Sequence, residues 1–253
     1  MKNKYIDNYI IKEIRSFAGG LGSMFAGLVQ GQYGKELTDN IYGGQRIGKN
    51  AVENNLVYQV GRNLDIKELV DRDLPTIGKH TFVVSQPDDS EDFTPEKMVE
   101  QGLDHNKFIF IDLSNGKKSI ISSAFDVNGN LIAEINNKTD SNVINNFFNN
   151  YDDGFSPEIR IVSPKNGISD TNFIYNILKN TQNYINNVEE NPVSYYIIPE
   201  VRKSTYNCNS FSNSLLNYSG ANKQRNNDFR GFDPGRNTLL PKDIFEQKGI
   251  NSY

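Results

Sequence analysis

Tyr206-Asn207-Cys208-Asn209-Ser210-Phe211-Ser212-Asn213-Ser214-Leu215-Leu216 opens on residues that cap a helix and then turns periodic. Asn and Ser side chains accept hydrogen bonds from the free N–H groups of a first helical turn. Phe211, Leu215 and Tyr218 fall on one face, and Ser219-Gly220 supplies a C-terminal stop. The spacing predicts a helix from about Cys208 to Tyr218, with the chain's single cysteine in its first turn. A thiol placed there meets the positive end of the helix dipole, which favours the nucleophilic thiolate. It also lies beside unpaired backbone N–H groups of the kind that hold an oxyanion during acyl transfer. A lone cysteine is more often a small buried hydrophobe. Here the polar neighbours Asn207, Asn209 and Ser210 argue against an apolar burial site, and they are the expected oxyanion and substrate lining.

A thiolate nucleophile needs a base, and the chain has only two histidines. His80 opens the run His80-Thr81-Phe82-Val83-Val84-Ser85, whose β-branched and aromatic residues predict a strand ended by Pro87. A side chain at the start of that strand can point over the sheet edge into a cleft, which makes His80 the expected base. His105, in the polar turn Asp104-His105-Asn106, reads as a surface residue. The imidazole should be oriented by a third group. If 80–85 and 108–113 pair as antiparallel neighbours, Asp112 faces His80 and takes that role. Asp126, Ser122 and Gln86 are the substitutes, because a one-residue slip turns a side chain to the other face.

Working outward, strands are expected over 108–113, 119–127, 131–135, 158–162 and 195–198, with Asn128-Gly129 as a tight hairpin. Short helices are expected at 95–101 and 139–149. Phe173, Ile174, Ile177, Leu178, Thr181, Tyr184 and Ile185 predict a long helix over 170–186. Residues 40–74 read as short helices or loops. The first segment places Ile6, Ile10, Ile14 and Phe17 on one helical face, and the glycine-rich run 17–34 reads as a junction. The expected division is an N-terminal helical appendage, 1–75, followed by a domain over 76–253.

The 253 residues carry a net charge of −4 and a mean hydropathy of −0.60. That balance argues against a nucleic-acid partner, which calls for a strongly basic face. One cysteine rules out an internal disulfide and a cysteine-rich zinc site. Two histidines and scattered acids give no metal-ligand spacing, and Gly19, Gly20 and Gly22 lack the Lys-Ser/Thr ending of a phosphate loop. No cofactor is expected. Asp7, Lys12 and Glu13 interrupt any leader-like apolar run, and no stretch reaches the roughly 18 apolar residues of a membrane span. The expected place is the producer's cytoplasm or, through a dedicated secretion machine, outside it.

A His80-Thr81-Phe82-Val83-Val84 strand, further strands, a helix, and then Tyr206-Asn207-Cys208-Asn209-Ser210-Phe211 at a helix start resembles the circularly permuted papain-like cysteine hydrolases. These are relatives of bacterial cell-wall endopeptidases and lecithin–retinol acyltransferase-like enzymes. Asp170-Thr171-Asn172-Phe173-Ile174, Gly231-Phe232-Asp233-Pro234-Gly235 and Leu240-Pro241 resemble the C-terminal domains of bacterial secreted or polymorphic toxins. The likeness covers about residues 78–245. It implies an α+β fold with an antiparallel sheet packed against the cysteine-bearing helix, and Cys208, His80 and Asp112 as nucleophile, base and orienting acid. It also implies a peptide, protein or lipid substrate, and an immunity or inhibitor protein as partner. The leading expectation is a thiol hydrolase acting on amide bonds as peptidase, amidase or deamidase. A phospholipase or acyltransferase with the same pair, with membrane contact through 17–34, and a non-catalytic effector that binds a partner are the alternatives.

Overall fold

Alternation of side chains along each strand sorts the core into two layers, one on each face of a single sheet. The structure, a computed structural model, describes residues 57–63, 79–149, 157–196, 199, 204–222, 235 and 237–247. Strand β1 (Val57–Asn63) pairs antiparallel with β2 (Lys79–Ser85) in the register Tyr58 opposite Val84, Val60 opposite Phe82 and Arg62 opposite His80. Every residue of β2 is buried, because both edges and both faces of this strand are covered. Helix α1 (Pro95–Glu100), capped by Thr94, leads to β3 (Ile111–Asp112), β4 (Lys118–Val127) and β5 (Asn130–Ile135). Helix α2 (Lys138–Phe148), β6 (Glu158–Ile161), α3 (Asp170–Glu190) and α4 (Cys208–Ser219) follow.

The result is an α+β fold on an open antiparallel sheet of six strands. Its order is β3-β4-β2-β1-β6, and β5 pairs with β4. Phe82, Val84, Tyr58, Val60, Ile121 and Ile159 form one layer with Ile144 and Phe148 of α2. Val57, Val83, Ile120 and Ala124 form the other with Phe173, Ile177, Leu178 and Tyr184 of α3 and Phe211 and Leu215 of α4. Fully burying a side chain of this size is worth roughly 1.5–3 kcal/mol, so two covered faces are what keep a sheet of this shape folded.

The helical periodicity of α3 and α4 matches the expectation closely. Ser169 caps α3 by accepting the Asn172 N–H at 3.2 Å. Gly220, at φ 96, ends α4 in the left-handed conformation that glycine adopts without strain. Three expectations differ from the structure. Val57–Asn63, read as part of an appendage, is a strand with a neighbour on each side, and it belongs to the same compact unit as the other described residues. The strand expected over 108–113 shrinks to Ile111–Asp112. It pairs with the start of β4 and not with β2, because the turn closed by Gly116 (φ 80) folds the chain straight back, with the Gly116 N–H donating to the Leu113 carbonyl at 2.8 Å. The strand expected over 195–198 is represented by an isolated bridge from Tyr195 to Tyr206. The helix through Ile6, Ile10, Ile14 and Phe17, the glycine-rich run 17–34, and Asp233-Pro234 lie outside the described residues. Among those described, no helix is long and apolar enough to cross a membrane.

Candidate active site

The register of β1 against β2 sets Arg62 directly opposite His80, and partners in an antiparallel ladder project from the same face. Helix α2 begins above that face. Asn137 caps it by accepting the N–H groups of Thr139 at 2.9 Å and Asp140 at 3.2 Å, which aims Asp140 of the first turn back at the sheet. Each oxygen of the buried Asp140 carboxylate then has its own donor. Arg62 Nε donates to Oδ1 at 2.9 Å, and His80 Nε2 meets Oδ2 at 2.9 Å. Ser123 faces the same carboxylate from β4 and lowers its pKa. Among the described residues, no partner lies within hydrogen-bond range of the Ser123 hydroxyl, so its influence acts over a longer distance. Phe125 stacks on the imidazole, with ring centroids 4.9 Å apart at 23°.

Charge explains the protonation of this cluster. Burial by itself pushes the His80 pKa down, but Asp140 and then Cys208 outweigh it, and the value rises from 6.5 to about 9. Burial by itself pushes the Asp140 carboxyl up, but the His80 and Arg62 charges win and hold it at about 2. His80 and Asp140 are therefore an ion pair at neutral pH.

Cys208 is the first residue of α4, and its sulfur lies close enough to the His80 imidazole to raise that group's pKa, while the hydrogen bond of the thiol goes to Asn209 Oδ1 at 3.6 Å. Nε2 is committed to Asp140, which leaves Nδ1 as the other ring nitrogen. The helix start is stitched to the two neighbours of His80. Asn209 Nδ2 donates to the Lys79 carbonyl at 2.7 Å, and Thr81 Oγ1 donates to Asn209 Oδ1 at 3.0 Å. One turn on, Ser212 bonds Thr81 and accepts from Gln59 Nε2 at 3.0 Å. These bonds seat the start of α4 against β2 beside His80.

The residues expected to line an oxyanion site act differently. Asn207 Oδ1 accepts the Ser210 N–H at 3.0 Å as helix cap, and Ser210 Oγ reaches the Gly235 carbonyl at 3.2 Å. Together with Asn209 their side chains anchor the helix, and all three are buried. The Cys208 backbone N–H, at the first position of α4, has no intrahelical acceptor, as at the start of any helix.

Asp112 is not beside His80. It is largely exposed and paired with Lys118 at 2.9 Å, because β3 neighbours β4 and the flanks of β2 are taken by β1 and β4. Asp140 occupies the place expected for it. Of the substitutes, Gln86 bonds Ser119 and Ser122 bonds Thr181. His105 is partly exposed.

The expected open cleft is also corrected: Cys208 and His80 are each only 2% exposed. Tyr195 lies close enough to Cys208 for its own pKa to be raised, by burial first and by the sulfur second. Its segment is tied to the chain entering α4, with the Tyr196 N–H donating to the Tyr206 carbonyl at 2.8 Å. A cavity of 580 Å³ opens beside Tyr206, Ser194 and Asn191, and neither Cys208 nor His80 lines it. Among the described residues no group of three or more His, Cys, Asp or Glu side chains is placed to hold a metal ion. No protein-family model matches the chain, and comparison with curated proteins and with solved structures found no match.

Proposed function

We propose that this chain is a cysteine hydrolase of the permuted papain-like kind, with Cys208 as nucleophile, His80 as acid and base, and Asp140 orienting the imidazole. The observation that carries the reading is one buried imidazole with a carboxylate on Nε2 and the sulfur of the first α4 residue near enough to act on its charge. That is the constellation of nucleophile, base and orienting group, recognised by geometry and not by sequence position. In the reaction the Cys208 thiolate attacks a carbonyl carbon, a C–S bond forms, and the Cys208 N–H holds the oxyanion. His80 gives its proton to the leaving nitrogen or oxygen as that bond breaks. Water then adds to the thioester, its proton passes to His80, and the thiolate leaves. A carboxylate on Nε2 keeps Nδ1 aimed at the sulfur through both steps. Amide bonds are the favoured substrate class, ester bonds in lipids the second. The toxin-like tail motifs fit a delivered effector with an inhibitor protein in its producer.

The burial of the sulfur favours a second reading, a non-catalytic binding protein in which the same network is purely structural. An activated ester separates the two. With p-nitrophenyl acetate, the hydrolase gives a burst of nitrophenolate and an acetyl group on Cys208, seen by mass. Cys208→Ala and His80→Gln give none while keeping the native circular dichroism. Acetylation no faster than that of glutathione overturns the proposal.

A further inference from the structure

We infer that Arg62 is a positioning residue for the Cys208–His80 pair, fixing the Asp140 carboxylate so that Oδ2 alone addresses the imidazole. The inference rests on the hydrolase reading for its catalytic meaning, but its structural content stands apart. A carboxylate held only by its helix can rotate and offer either oxygen. Here Arg62 Nε occupies Oδ1 at 2.9 Å and His80 Nε2 occupies Oδ2 at 2.9 Å. Both donors come from directly opposed residues of β1 and β2, so the sheet register fixes the spacing between them. The contact is made through Nε, the side-on nitrogen of a planar guanidinium, and lysine has no equivalent atom. Arg62 is buried and the carboxylate is fully so, which strengthens the pair and leaves no room for a bridging solvent shell.

Among the described residues, the charged and titratable groups around His80 are few. Arg62 comes from β1, Asp140 from α2, and Cys208 from α4 with Tyr195 beside it. Lys79, the strand neighbour, is paired with Glu158 at 2.8 Å. Phe82 and Phe125 supply uncharged walls. No group in this set other than Arg62 is seen to hold Oδ1.

The test uses the full chain labelled with ¹⁵N-histidine, because His105 then serves as an internal control in the same spectrum. In Arg62→Lys, which keeps the charge and loses Nε, the His80 titration midpoint is expected to fall measurably, since a loosened carboxylate no longer offsets burial. Arg62→Gln also takes a cation away from the pair, which by itself raises the midpoint, so its midpoint is expected to stand above that of Arg62→Lys. The pH profile of Cys208 alkylation by iodoacetamide shifts in step. A merely structural arginine lowers the melting temperature and leaves the His80 midpoint and the alkylation profile where they were; that result overturns the inference. Failure of the parent chain to acetylate overturns the hydrolase reading instead, and the His80 midpoints still decide the role of Arg62.

Discussion

His80 and Asp140 couple the stability of the protein to pH, and the sign can be worked out from their shifts. The His80 pKa is raised from 6.5 to about 9 on folding, so its contribution is complete below about pH 6.5 and is lost as pH rises through about 9. The Asp140 pKa is lowered from 3.8 to about 2, so its contribution is complete above about pH 4 and is lost as pH falls through about 2. The two are one interaction seen from both partners and are counted once. Asp140→Asn leaves buried cations without their counter-charge, which costs about 3–5 kcal/mol. Urea unfolding at about pH 6 and about pH 9.5 is expected to show a marked alkaline loss in the parent chain and a flatter response in Asp140→Asn. Equal slopes in the two proteins contradict the assignment. Of these groups the sequence makes two legible: one cysteine and two histidines leave few choices for the pair. Asp140 is hidden among 31 acidic residues. What singles it out is the angle at which α2 descends on the β1–β2 ladder, and no local pattern encodes that angle.

At the scale of elements, the site depends on how α4 begins. Gly235, at φ 85, lies so close to the cap that a Cβ added there would stand 2.3 Å from Asn207 Oδ1 and 2.7 Å from Ser210 Oγ. Gly235→Ala therefore has to displace the cap or the tail, and the left-handed backbone adds strain. Asn207→Ala loses the cap alone, at a cost of about 1 kcal/mol. Both variants are expected to lower the melting temperature, Gly235→Ala by more, and both should slow modification of Cys208 as the helix start drifts from β2. Native modification rates in either variant would separate the cap from the site. Elements with strong periodicity were readable in advance: α3, α4 and the β4–β5 hairpin carry their own caps and turn residues. β1 was not readable, because its alternation is short and is broken by Gly61 and Arg62. The pairing of β3 depended on the turn after it, which links it to β4 before β2 can compete.

For the molecule as a whole, the central claim is that a strand near one end of the described chain and a helix near the other bring sulfur and imidazole together as one reactive pair. The α+β class and the polarity of the helix start follow from composition and pattern. The burial of the pair does not, since it depends on what packs over the helix start once the fold is complete. That burial makes the reactivity of Cys208 toward iodoacetamide, followed across pH in the native state, the most direct measurement. A coupled pair predicts alkylation that proceeds in the native state and that collapses in His80→Gln. Alkylation that follows only global unfolding, and is the same with and without His80, would contradict it.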